Sequence, residues 1–161
     1  MFNTQAKIVS AASLRRKLAA FRRSGKRIAF TNGCFDILHC GHVSYLESAK
    51  KSNRILIVGL NSDTSIKQIK GPLRPINHQH ARACVLAALA CVDYVVIFNE
   101  STPYQLIKVL QPDILIKGSD WKGKEIAGAD IVKERGGRVE LIRYLPQYST
   151  TKILELMKQG A

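Results

Sequence analysis

The sequence predicts an α/β fold: a doubly wound, five-stranded parallel sheet with helices on both faces. Three observations predict it. Short continuous apolar runs such as Ile55-Leu56-Ile57-Val58 recur along the 161 residues, the pattern of strands buried on both sides. Segments with apolar residues three and four apart separate these runs, which marks helices and gives the alternation of a parallel sheet. The third is a strand-turn-helix stretch around which the chain is organised. Ile28–Phe30 is an apolar run, Thr31-Asn32-Gly33-Cys34 a turn-prone set, and Val43, Leu46 and Ala49 recur at helical spacing.

The elements follow in order. Leu14, Leu18 and Phe21 form one apolar stripe amid Arg and Lys, a helix over 10–24 that Gly25 stops. The first strand is Ile28–Phe30, and after the central turn a helix runs from Gly41 to Lys51. Arg54–Leu60 is the second strand, and Asn61-Ser62-Asp63 supplies cap residues for a helix over 62–69. Gly71-Pro72 and Arg74-Pro75 make a loop. An Ala- and Leu-rich helix covers His78–Ala90, and its Cys84 and Cys91, seven apart, read as one buried face. Tyr94–Phe98 is the third strand, and Thr102–Leu110 is a helix with Pro103 in its first turn. Ile114–Ile116 is the fourth strand, ended by Lys117-Gly118-Ser119-Asp120. Ala127–Arg135 is a helix stopped by Gly136-Gly137, and Val139–Ile142 is the fifth strand. Ser149-Thr150-Thr151 caps a last helix with Ile153, Leu154 and Met157.

This order is Rossmann-like, and ligands in such folds sit at the carboxyl ends of the strands near a switch point. The central turn, Asn61–Asp63, Lys117–Asp120 and Tyr148–Thr151 are therefore expected on one edge. A single domain is expected over 1–161, with 1–25 as an N-terminal helical extension.

Composition narrows the function. With 46% hydrophobic and 23% charged residues the chain reads as globular. No apolar run approaches the ~20 residues of a membrane helix, and no secretory segment is visible. Cys34, Cys40, Cys84 and Cys91 are therefore expected to stay reduced in the cytoplasm. The net charge of +13 suits anionic substrates. The cations are spread out, with no long basic tail and no aromatic RNA-binding signature, which argues against nucleic acid as the main partner. Dinucleotide, P-loop and nucleophile-elbow motifs are absent. Cys34, His39, Cys40 and His42 lack paired zinc-ligand spacing.

The chemistry-bearing residues gather at the central stretch. A helix N-terminus offers free N–H groups and partial positive charge, which suit phosphate. Gly41 between His39 and His42 lets a ligand approach the backbone. Either histidine alone reads as a buried structural residue; the pair at a strand-to-helix turn reads as functional. The turn is therefore expected to hold a nucleotide triphosphate. Lys70, with Lys67 as second choice, sits in a Gly/Pro loop that can close on phosphates. Arg74 shares that loop and Arg82 follows it, a surface salt bridge being the rival reading for both. For Asp36 the rival is a turn cap or an acceptor for backbone N–H groups. Ser149, Thr150 and Thr151 either cap a helix or bind phosphates at its N-terminus.

Thr31-Asn32-Gly33-Cys34-Phe35-Asp36 followed by His39-Cys40-Gly41-His42 resembles the H-x-G-H motif region of the nucleotidyltransferase superfamily. Gly59–Asp63, Lys70–Ile76, Lys117–Asp120 and Tyr148–Thr151 resemble, more narrowly, the adenylyltransferase family of ADP-heptose synthesis. The resemblance covers residues 26–155. It implies ATP and the sugar 1-phosphate D-glycero-β-D-manno-heptose 1-phosphate as substrates, Mg2+ accompanying ATP, and catalytic roles for His39, His42 and Lys70. It implies nucleotide contacts from Asn32, Gly33, Cys34, Phe35, Gly41, Asp120, Tyr148, Ser149, Thr150 and Thr151. Asp36, Asn61, Asp63, Arg74, Arg82 and Lys117 are then expected at substrate or phosphate. Only Asp36 resembles a residue near the metal, and no other direct protein ligand is expected. A homodimer is common in the wider superfamily. Departures are Cys40 in place of Ala, Ser119-Asp120-Trp121 in place of Gly-Asp-Tyr, and Gln147 in place of Gly. Gly118-Ser119-Asp120-Trp121 also resembles the subgroup that uses CTP and glycerol 3-phosphate, so that reading stays open. Trp121 lies near the implied nucleoside site, where it can alter base stacking.

The reaction suits these residues on chemical grounds. A phosphate monoester has a second pKa near ~6 and is mostly dianionic at neutral pH. It needs no general base to attack the α-phosphorus, only alignment and charge stabilisation.

Overall fold

The computed structural model describes residues 3–143 and 147–159, so the outermost residues of the expected 1–161 span and residues 144–146 lie outside the described residues. Five strands form one sheet: β1 (Arg27–Gly33), β2 (Arg54–Asn61), β3 (Tyr94–Phe98), β4 (Ile114–Gly118) and β5 (Arg138–Ile142). Every pairing is parallel and the order is β3-β2-β1-β4-β5. The winding reverses between β1 and β4, which sets the switch point there.

The strands alternate their side chains between two apolar clusters. Ala29, Leu56, Val58, Leu60 and Val95 face one side, with Leu46 and Ala49 of α2 (Cys40–Ala49) and Ala83, Leu86 and Ala87 of α4 (Gln79–Ala88). Ile28, Phe30, Ile57, Val96 and Leu115 face the other, against Leu14 and Leu18 of α1 (Ala11–Arg23), Leu106, Ile107 and Leu110 of α5 (Tyr104–Leu110) and Val132 of α6 (Ala129–Glu134). Helices α3 (Asp63–Lys70) and α7 (Thr150–Gln159) complete the set.

The structure departs from the sequence expectations where the ladder overrides local propensity. β1 continues through Gly33 because Thr31, Asn32 and Gly33 pair with Val58, Gly59 and Leu60. β4 likewise takes in Lys117 and Gly118, paired with Leu141 and Ile142. Pro103 is the N-cap of α5 rather than part of its first turn. Cys84 is exposed and α4 ends at Ala88, so Cys84 and Cys91 do not form one buried helical face. Gly59 has a packing reason: a Cβ there would lie 2.6 Å from Phe30 Cζ.

An ion pair buried on its Arg54 side, whose Glu140 is partly exposed and also pairs with Arg138, ties β2 to β5. Arg54 is 3% exposed; its Nη2 donates to Glu140 Oε1 at 2.7 Å and its Nη1 to the Ala49 carbonyl at 3.1 Å. Removing one partner of a buried pair leaves an uncompensated charge, which costs roughly 3 kcal/mol. Glu140→Ala is expected to lower the urea midpoint accordingly with the slope unchanged. An unchanged midpoint would show that the pair contributes nothing net.

Candidate active site

The site starts at the N-terminus of α2. His39 is its N-cap in extended geometry and makes no side-chain cap bond. Its carbonyl accepts the His42 N–H at 2.9 Å, so the imidazole is free for other work. It stacks on His42 with ring centroids 3.8 Å apart and planes 20° from parallel. Both His39 nitrogens and His42 Nδ1 are buried without a hydrogen-bond partner among the described residues. Buried polar atoms are ordinarily paired, so three in one stacked pair point to a ligand that supplies hydrogen-bond partners. Gly41 permits the arrangement: a Cβ would meet His39 Nδ1 and Tyr148 Cβ, each at 3.1 Å. Gly33 makes room for Phe35, whose ring would lie 2.9 Å from a Cβ there. Phe35 adopts φ +43° and packs its ring 5.0 Å from His42.

Burial drives the His42 pKa down to about 4, helped by the charges of His39 and Lys70. Burial also lowers His39. Both are neutral at pH 7 in the free protein and each offers one ring N–H donor.

Beside the pair lies a cavity of about 660 Å³ at the carboxyl edge of the sheet. Asn32, Gly33, Cys34, Phe35 and His42 line one part, Asn61 another, and Lys117, Gly118 and Asp120 a third. Lys117 bridges the switch point: it is 6% exposed and donates to Asn32 Oδ1 at 2.6 Å. Its ammonium lies 4.7 Å from the centre of the Trp121 ring. Burial lowers its pKa to about 8 against the opposing pull of Asp120, so it is mainly a cation at pH 7. Lys70, the exposed last residue of α3, does not line the cavity, but its charge reaches both His42 and Cys34. Ser149 caps α7 by accepting the Lys152 N–H at 3.1 Å.

Four expected phosphate contacts turn out to be committed to the protein itself. Asp36 Oδ1 accepts the Ile76 and Asn77 N–H groups at 2.8 and 3.0 Å, and Oδ2 accepts Arg74 Nε at 2.7 Å. These bonds hold its carboxyl below the usual range despite burial, which opposes them. With both oxygens engaged, Asp36 fits neither a phosphate contact nor a direct metal ligand, and Arg74 is turned to Asp36. Arg82 donates to Asp63 Oδ1 at 2.7 Å and to backbone carbonyls, and at 3% exposure it does not face a ligand. Asp63 accepts that bond and is in turn no free substrate contact. Asn61 stays on the cavity wall while its Nδ2 donates to Ser65 Oγ at 2.9 Å.

The cavity also includes residues that the sequence reading passed over. Tyr45 follows His42 by three positions on α2, a helical spacing that could have flagged it. Its hydroxyl lies 2.8 Å from Thr31 Oγ1. Ser101, Thr102 and Pro103 follow β3 on the same carboxyl edge, a connection that the edge rule covers. Glu125 and Ala127 come from the segment before α6 and carry no local signal. Among the described residues no group of three His, Cys, Asp or Glu side chains is arranged to hold an ion, and no helix is long and apolar enough to cross a membrane.

The family model described as cytidylyltransferase-like matches residues 30–156. The bifunctional protein HldE of a Nitratiruptor species is 60% identical over 136 residues, 84% of this chain and 29% of that protein. The bifunctional protein HldE of Wolinella succinogenes is 51% identical over 152 residues, 94% of this chain and 31% of that protein. The chain thus spans 29–31% of the length of these two curated relatives. Among solved structures, the lipopolysaccharide core biosynthesis protein from Thermoplasma volcanium superposes with a TM-score of 0.60 at 29% identity, covering 75% of this chain and 98% of that one.

Proposed function

Because the chain belongs to the cytidylyltransferase-like family, we propose that it transfers AMP from ATP to D-glycero-β-D-manno-heptose 1-phosphate, giving ADP-heptose and pyrophosphate for lipopolysaccharide core precursor synthesis. The carrying observation is the stacked histidine pair with three buried, unpartnered ring nitrogens at the start of α2. The identity of 60% and 51% to two HldE proteins favours this reading over CTP and glycerol 3-phosphate.

The acceptor's phosphate oxygen attacks the α-phosphorus of ATP and the bond to the bridging oxygen breaks, releasing pyrophosphate. His39 and His42 donate neutral N–H groups to the phosphate oxygens as charge grows on them. Lys117 places a cation at the switch point, and Lys70 approaches from the end of α3. Asn32, Gly33, Cys34, Phe35, Gly41, Asp120, Tyr148, Ser149, Thr150 and Thr151 are assigned to the nucleotide, and Asn61 to the acceptor side. A Mg2+ ion accompanying ATP would neutralise charge on the phosphates; Asp36, with both oxygens engaged, would not hold it.

The reading extends to one nucleotidyltransferase unit acting in the cytoplasm as a homodimer. Support for the dimer is the outer face of α4, where Ala81, Cys84, Val85 and Ala88 form an exposed uncharged stripe on a chain of net charge +13. Equilibrium sedimentation tests it, and a monomer at all concentrations would refute it. The function is tested by pyrophosphate release with ATP, CTP and GTP, each offered with the heptose phosphate and with glycerol 3-phosphate. Turnover confined to ATP with the heptose phosphate is the expected result. Turnover with CTP and glycerol phosphate would overturn the substrate assignment.

A further inference from the structure

We infer that Arg82 is a positioning residue: one buried guanidinium that holds the cavity floor and the helix carrying Lys70 in their reacting arrangement. A guanidinium has five N–H donors, and here they reach four acceptors in three separate parts of the chain. Nε donates to the Asn77 carbonyl at 2.8 Å. Nη1 donates to the Cys34 carbonyl at 2.6 Å and the Asn61 carbonyl at 2.9 Å. Nη2 donates to Asp63 Oδ1 at 2.7 Å.

Each partner marks a joint of the site. Cys34 follows β1, Asn61 ends β2, Asn77 lies before α4, and Asp63 opens α3. Cys34 and Asn61 both line the cavity. The β1–β2 ladder ends at Gly33 and Leu60, so carbonyls just beyond it lack that neighbour and need another donor. Arg82 supplies it to both strand ends from a single planar group. A lysine carries its donors on one tetrahedral nitrogen and cannot reach the same four acceptors.

The lever from Arg82 to the chemistry is α3. Its eight residues span about 12 Å at the usual rise. Asp63 is fixed by Arg82 at one end, and Lys70 lies at the other, where its charge reaches His42. A tilt of about 5° moves the far end of a 12 Å helix by roughly 1 Å, and a 1 Å misplacement can cost about 100-fold in rate. Arg82 is 3% exposed and acts through these groups without touching substrate.

The test has two arms. The kinetic arm rests on the adenylyl-transfer reading. Arg82→Ala is expected to lose about 100-fold in kcat with KM for ATP little changed. Added guanidinium should restore part of the loss, entering through the roughly 100 Å³ cleft that Arg82 lines with Leu38, Ala81 and Val85; Arg82→Lys should not restore it. Unchanged kcat, or a raised KM with kcat kept, overturns the inference, the latter because it marks a phosphate contact. The second arm needs no turnover: amide hydrogen exchange should quicken at residues 33–36 and 61–70 in Arg82→Ala and stay unchanged in β4 and β5. Unchanged or uniformly faster exchange overturns positioning. If the wild-type protein releases no pyrophosphate, the functional reading fails while the exchange arm still decides this one. Should Arg82→Ala not fold, Asp63→Ala removes the Nη2 bond, keeps the other three and is expected to quicken exchange in α3 alone; no change there overturns the inference.

Discussion

His42→Ala is expected to lower kcat about 100- to 1,000-fold while the protein stays folded. The magnitude is that of removing one donor aimed at developing charge in a dry site. Folding should survive because two of the three unpartnered nitrogens belong to His39 and the third goes with the removed ring. The melting midpoint should move by less than about 4 °C, the shift that roughly 1 kcal/mol produces in a domain of this size. A large fall in melting temperature with kcat retained would assign His42 to packing against Phe35 instead. The protonation state gives a second readout. His42 is neutral in the free protein because burial, His39 and Lys70 hold its pKa at about 4. A triphosphate beside it reverses the local sign of charge and raises that pKa. ATP binding should therefore take up protons between the free and bound pKa values, and ATP affinity should strengthen as pH falls through that window. Calorimetry in two buffers of different ionisation enthalpy measures the uptake, which should vanish in His42→Ala if this ring is the acceptor.

Lys117→Met is expected to cost a comparable factor, about 100-fold in kcat/KM. Lys117 is the buried cation at the switch point, fixed to Asn32 at 2.6 Å. Its pKa sits at about 8 because burial disfavours the charged form more than Asp120 favours it. The charge is thus present below that value and lost above it. Wild-type kcat/KM should fall as pH rises through about 8, and Lys117→Met should be slow and flat across the same range. Lys117→Arg keeps the charge at every accessible pH, so any activity it retains should show no such fall. A wild-type profile that stays level well beyond that pH would remove Lys117 from the reaction.

The fold was largely legible because it rests on periodicity. The apolar runs at Ile55–Val58 and Ile114–Ile116 and the Leu14–Leu18–Phe21 stripe are local signals, and a parallel sheet follows once the elements alternate, whereas the order β3-β2-β1-β4-β5 is set by the tertiary structure. Strand ends were less legible. Asn32 and Gly33 look like turn residues, and only pairing with Gly59 and Leu60 keeps them in β1. The site divided in the same way. His39, Gly41 and His42 were readable because a helix N-terminus and a small residue between two histidines are local features. Tyr45 and the Ser101–Pro103 connection were missed, although helical spacing and the edge rule reach them.

The sequence by itself determined the alternation of elements, the carboxyl edge as the place of the candidate site, and the histidine pair at the start of α2. Tertiary structure alone decided which charged groups remain open to a ligand. Arg82, Arg74 and Lys117 look alike as basic residues near a phosphate site. Arg82 finds the Cys34 carbonyl, 48 residues away in the chain, Arg74 finds Asp36, and Lys117 donates to a neutral amide at Asn32 and lies over the Trp121 ring. A cation whose donors are taken by carboxylate and carbonyl oxygens is neutralised in place, whereas one held by a neutral amide beside a cavity keeps its charge for the substrate. That distinction depends on which acceptors folding brings within about 3 Å, and no local pattern encodes it.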